Sequence, residues 1–173
     1  MTYKESLTAA MDDLAKDPAV RFVGYGLKTG RAMGTLKNVA DAQIVETILA
    51  ENLMMGAAVG MALAGLKPVV YFERADFLLN AADSIVNHLA AMEELSRGEF
   101  HPAVIIRVTV GNKSKPLFTG PVHTQNFADA FRTMVGFPVL ELTTPEQVTA
   151  AYRVAYAGLQ HGSTMLFEMK DLL

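Results

Sequence analysis

Apolar residues recur at helical spacing over residues 4–15, where Leu7, Ala10, Met11 and Leu14 share one face and charges occupy the other. Asp17-Pro18 stops that helix, because a residue before proline is driven out of helical backbone. Residues 21–24 predict a short buried strand. Residues 25–38, with glycines at 26, 30 and 34, predict a loop. Residues 50–64 predict a helix of small and apolar side chains that Gly65 ends. Residues 68–72 predict a strand without polar alternation, as in a sheet covered on both faces. Residues 75–95 predict one long helix that stops near Gly98. Residues 103–108, 138–142 and 164–168 predict further strands, and residues 111–121 a polar loop. Thr144 predicts the N-cap of a helix over 145–159, with Pro145 in its first turn.

Strands alternating with helices of ten or more residues predict an α/β fold. The expected form is a three-layer α/β/α sandwich around a mostly parallel, twisted sheet. Such a sheet binds ligands at the carboxyl ends of its strands.

Composition narrows this picture. The chain of 173 residues suits one domain with one sizeable core. With 51% hydrophobic and 19% charged residues it should fold rather than stay disordered. A net charge of −3 and the lack of a basic run give no sign of nucleic acid or of an anionic membrane as partner. The longest apolar run, residues 53–66, is shorter than the ~20 residues that span a bilayer. Residues 1–17 are amphipathic and acidic, unlike a secretory leader. Zero cysteines exclude disulfides, thiolate metal ligands and thiol nucleophiles, and fit a cytoplasmic location. Ten methionines are more than a monomer core calls for and suit a buried interface.

Candidate chemistry is sparse. Gly24-Tyr25-Gly26 with Gly30 follows a strand, but its third glycine is misplaced for a dinucleotide fingerprint. No phosphate-cradling loop and no Gly-Asp-Gly metal–diphosphate motif is present. The histidines, His88, His101, His123 and His161, lack ligand spacing. His88 and Asp83, at i,i+5, should lie on different helix faces. No serine has a nucleophile-elbow context.

Glu51 is the exception. No other charge appears between it and Lys67. One reading is a carboxylate in a first helical turn, favoured by the helix dipole. The other places it in a dry pocket formed by Leu49, Leu53, Met54 and Met55, where it does acid–base work on a ring nitrogen. Ala50, Gly56, Ala57, Gly60 and Ala64 recur near one helix face and permit close packing, either internal or across subunits.

Glu51 followed by GAAVGMALAGLKPV, then an aromatic-rich stretch and Asp83-Ser84-Ile85-Val86-Asn87, resembles the pyrimidine-binding domain of thiamine-diphosphate enzymes. The pattern is most similar to beta subunits of 2-oxoacid dehydrogenases, with transketolases also related. The resemblance runs from the opening helix through the His123-Thr124-Gln125 loop to the closing MLFE, so that residues 1–173 form one pyrimidine-binding domain. It implies that Glu51 hydrogen-bonds the cofactor's aminopyrimidine nitrogen and promotes loss of the thiazolium C2 proton. It implies that Phe77 packs on the pyrimidine and that Asn80 and Leu53 lie on the cofactor side. It makes His123 a substrate-facing residue that donates to an oxyanion or shuttles protons, and it leaves the role of a strand-end Arg107 open.

Two departures qualify the match. The acidic pair expected after the first strand is replaced by Tyr25-Gly26, which puts a proton relay there in doubt. Neither the diphosphate-binding domain nor a C-terminal transketolase-type domain is represented. The resemblance therefore implies thiamine diphosphate shared with a partner chain that holds Mg2+, in a two-plus-two heterotetramer, and inactivity of the chain by itself. The expected reaction is cleavage of a C–C bond beside a carbonyl in a 2-oxoacid, with acyl transfer. Rival readings are a transketolase-like ketol transferase acting on a ketose and a non-catalytic binding subunit.

Overall fold

In the computed structural model, which describes residues 1–114 and 122–173, six parallel strands carry helices on both faces. The elements run α1 (Tyr3–Ala15), β1 (Val20–Gly24), α2 (Leu27–Gly30), β2 (Ile44–Glu46), α3 (Glu51–Leu63), β3 (Lys67–Phe72) and α4 (Ala75–Leu78). There follow α5 (Met92–Leu95), β4 (Ile105–Val110), α6 (Ala128–Met134), β5 (Val139–Leu142), α7 (Pro145–Ala157) and β6 (Thr164–Met169). The strand order is β2-β1-β3-β4-β6-β5, and every pair is parallel.

The central strands read as unbroken apolar runs because both faces are covered. All of β4, Ile-Ile-Arg-Val-Thr-Val, is buried. One face packs on α1 and α7 through Leu7, Met11, Leu14, Val148 and Tyr152. The other packs on α3, the segment after β3 and α6 through Met55, Ala58, Leu78, Ile85 and Phe131. Capping boxes open α1 and α7. Thr2 and Thr144 accept from the amides of Glu5 and Gln147, whose side chains reach back to the cap amides. Each such cap stabilises its helix by about 1 kcal/mol.

Three expectations from sequence are corrected. First, β2 is a sixth strand. It spans three residues at the sheet edge with burial falling from Ile44 to Glu46, too short to show a period. The expected loop at 25–38 also contains the single turn α2. Second, the long helix over 75–95 is broken into α4, a 3-10 turn at Leu79–Ala81, a π-helix at Ser84–Ala90 and α5. A π-helix brings i and i+5 together. That is why His88 Nε2 lies 3.3 Å from an Asp83 carboxylate oxygen instead of on another face. Third, β4 begins two residues later than expected, and α6, opened by Asn126 accepting from the Ala128 amide, was not anticipated.

Candidate active site

At the carboxyl edge of the sheet the chain leaves β1 toward β2 on one side, while β3 leads to β4 on the other. Such a switch point leaves a crevice between the two departing loops. The segments after β1, β2, β3 and β4 contribute Tyr25, Ile48 to Glu51, Glu73 to Asn80, and Gly111.

Glu51 is the first residue of α3, where Ala50 gives no side-chain cap. Its carboxylate accepts a hydrogen bond from Asn80 Nδ2 at 3.3 Å. Among the described residues this is its one side-chain partner. The surroundings differ from the dry pocket expected of Leu49, Leu53, Met54 and Met55. The helical period turns Met54 and Met55 into the core, while Ile48, Leu49 and Leu53 point outward at 48–69% exposure. Leu79, next to Asn80, is exposed as well. The acid therefore stands at a helix start inside an apolar rim that is open to solvent.

Phe77 precedes Asn80 by three residues on the turn after β3, so both reach the same side. The Phe77 ring meets the His123 imidazole edge to face, with centroids 4.9 Å apart and planes at 90°. His123 Nδ1 lies 2.7 Å from the Val122 carbonyl oxygen. Glu51, Asn80, Phe77 and His123 thus form one chain of neighbours at the crevice. Leu53 belongs to its apolar rim. Residues 115–121 of the expected loop over 111–121 lie outside the described residues.

Arg107 is no strand-end functional group. It is buried within β4, donating from Nε and Nη2 to both oxygens of Glu168 at 2.8 and 2.9 Å. Tyr152 donates to the same carboxylate, Thr35 Oγ1 accepts from Arg107 Nη2, and the Tyr71 ring lies 5.1 Å from the guanidinium. Burial pushes the Tyr71 hydroxyl up to about 12 and holds Tyr152 well above its ordinary value. The network ties β4, β6 and α7 together inside the core.

Glu46, at the end of β2, accepts from the Gly26 and Lys28 amides, the latter at 2.7 Å. It orders the loop after β1 from the neighbouring strand. The two glycines of α3 do not serve internal packing: Gly56 and Gly60 are exposed, as is Ala64 at the C-cap, and a Cβ at either glycine would meet nothing within 4 Å, whereas Ala58 on the opposite face is in the core. Asp76 and Gly111, which the sequence reading passed over, hold the His123 segment. Among the described residues no group of three or more potential ligands could hold a metal, and no helix is long and apolar enough to cross a membrane.

The transketolase pyrimidine-binding domain family matches residues 1–173. The pyruvate dehydrogenase E1 beta subunit of Saccharomyces cerevisiae mitochondria is 28% identical over 179 residues, covering 100% of this chain and 47% of the relative. The mitochondrial beta-1 subunit of Arabidopsis thaliana is 29% identical, covering 100% and 48%. That of Acholeplasma laidlawii is 26% identical, covering 96% and 51%. The chain spans about half the length of these relatives. Among solved structures, a split gene transketolase in an inactive beta4 tetramer superimposes with a TM-score of 0.70 at 17% identity, covering 96% of this chain and 51% of that one. A putative thiamin diphosphate-dependent enzyme from Mycobacterium smegmatis gives 0.69 at 18%, covering 99% and 31%.

Proposed function

The chain belongs to the transketolase pyrimidine-binding domain family, and from that premise we propose that it is one subunit of a split thiamine-diphosphate enzyme. The complex cleaves the C–C bond beside the carbonyl of a 2-oxoacid and transfers the acyl group. The observation that carries this reading is Glu51, an acid at a helix start, oriented by Asn80 and bordered by an apolar rim.

These residues fit a flat, nitrogen-bearing heteroaromatic ring. Glu51 would hydrogen-bond a ring nitrogen, and Asn80, which donates to its carboxylate, would orient it. Phe77 offers an aromatic surface, a contact worth roughly 0.5–1.5 kcal/mol beyond burial. When bound, thiamine diphosphate would supply the electron sink for C–C cleavage. His123 donates to the substrate's developing oxyanion or moves a proton to it. Covering Ile48, Leu49, Leu53 and Leu79 with a second chain would exclude water and strengthen every polar contact inside. That partner would bind the diphosphate and Mg2+, in a two-plus-two assembly in the cytoplasm.

The test is to co-express the chain with the product of the adjacent gene and to measure thiamine diphosphate binding by calorimetry. Tight binding is expected only of the complex, and equal binding by the single chain would sink the split-subunit reading. Product analysis with pyruvate should show decarboxylation and acyl transfer, whereas turnover confined to ketose phosphates would assign a ketol transferase instead.

A further inference from the structure

We propose that Gly111 and Asp76 are positioning residues for His123, fixing the main chain of residues 123–125 so that the imidazole stands against Phe77. The inference rests on the reading above for what His123 does, but its geometry is a property of this chain.

His123 has φ +89 without being a glycine. L-residues avoid that backbone unless their surroundings impose it. One imposing contact is Gly111, the first residue past β4. A Cβ there would stand 1.7 Å from the His123 carbonyl oxygen, 2.9 Å from its carbonyl carbon and 3.3 Å from Thr124 Cα. Gly111 has no left-handed φ of its own. Glycine is therefore required for space: the His123 main chain lies directly on its Cα. The other contact is Asp76, whose carboxylate oxygens accept from the Gln125 amide at 3.3 and 3.4 Å.

Asp76 and Phe77 are adjacent in α4. One turn thus takes hold of the returning segment twice, by its main chain at Gln125 and by the His123 ring at 4.9 Å. The next turn carries Asn80, which donates to Glu51. Moving the segment would therefore shift His123 relative to the acid as well as loosening a loop. A carbonyl only accepts, so Nδ1 carries a proton toward the Val122 oxygen and Nε2 is the ring nitrogen left for the crevice.

The experiment reads the His123 ring in the histidine-labelled chain by itself. A ring-current-displaced imidazole resonance is expected, identified by its loss in His123→Asn and its return to the ordinary position in Phe77→Leu. Gly111→Ala and Asp76→Ala should each return it similarly, with the resonances of His88, His101 and His161 unmoved. Asp76→Asn, which keeps an oxygen acceptor, should retain most of the displacement. A displaced resonance that survives in Asp76→Ala overturns the proposal, even if Gly111→Ala fails to fold. In the complex, Asp76→Ala should lower kcat by roughly 10²-fold, the scale of an ångström of misplacement, with cofactor affinity unchanged. It should add nothing on a His123→Asn background, and a full additive loss there also overturns the proposal. Because the resonance is read without turnover, a complex inactive on every substrate refutes the functional reading and leaves the positioning test decided.

Discussion

At the scale of residues, Glu51 and Arg107 exchange the roles that charge and position suggest. Glu51 looks ordinary, an acid in a first helical turn, yet it stands open at the crevice with Asn80 on its carboxylate. Arg107 looks functional and is spent in the core on Glu168. In the complex, Glu51→Gln should lower turnover by at least ~10²-fold, the scale of lost acid–base catalysis. A loss within about threefold, under 1 kcal/mol of barrier, would show that the mechanism assigned to Glu51 is wrong and favour a non-catalytic subunit. Urea unfolding should show Glu168→Ala destabilised by about 3–5 kcal/mol, because an uncompensated guanidinium is left buried. The double change Arg107→Met with Glu168→Leu should recover most of that, and a double variant as unstable as the single one would contradict the account.

At the scale of elements, legibility followed length and period. The amphipathic α1 and α7, with their Thr-opened capping boxes, and the apolar strands β3 and β6 were readable because pattern and packing agree. β2 is three residues long and carries no period. The π-helix at Ser84–Ala90 was invisible because a helical pattern does not reveal which backbone ladder closes it, and the Asp83–His88 contact was misjudged with it. In α3 the sequence showed the small-residue face, while only the fold shows that it points outward. Ala at Gly56 and Gly60 should raise the stability of the isolated chain by up to ~1 kcal/mol each through helix propensity, read as a shift in denaturation midpoint. Leu at both positions should leave the fold intact and weaken assembly in sedimentation if this face is covered in the complex. Unchanged assembly would place the contact elsewhere.

At the scale of the whole molecule, the site was legible only in part, because its residues come from separate segments that the sheet brings together. Glu51, Asn80 and Phe77 could be named only through the resemblance to the family, whereas Asp76 and Gly111 act through main-chain contacts that have no sequence signature. The opposite edge of the sheet is held by a long-range cluster of the same kind. Asp17 accepts from Lys67 Nζ at 2.6 Å, from the Tyr156 hydroxyl at 2.6 Å and from the Ala19 amide at 2.8 Å, joining the end of α1 to β3 and α7. The Lys67 ammonium first, then Tyr156 and the Ala19 amide, hold the Asp17 carboxyl well below the usual carboxylate range. A depressed folded value stabilises the fold above the unfolded value, near 4. That contribution fades as pH falls from there toward the folded value, since the unfolded chain then takes up a proton that the fold refuses. Denaturant midpoints should therefore drop for the wild type between about pH 5 and pH 3. Asp17→Asn should be less stable at neutral pH and decline less steeply over the same window, and parallel curves for the two would mean that this cluster does not set the acid limit of the fold.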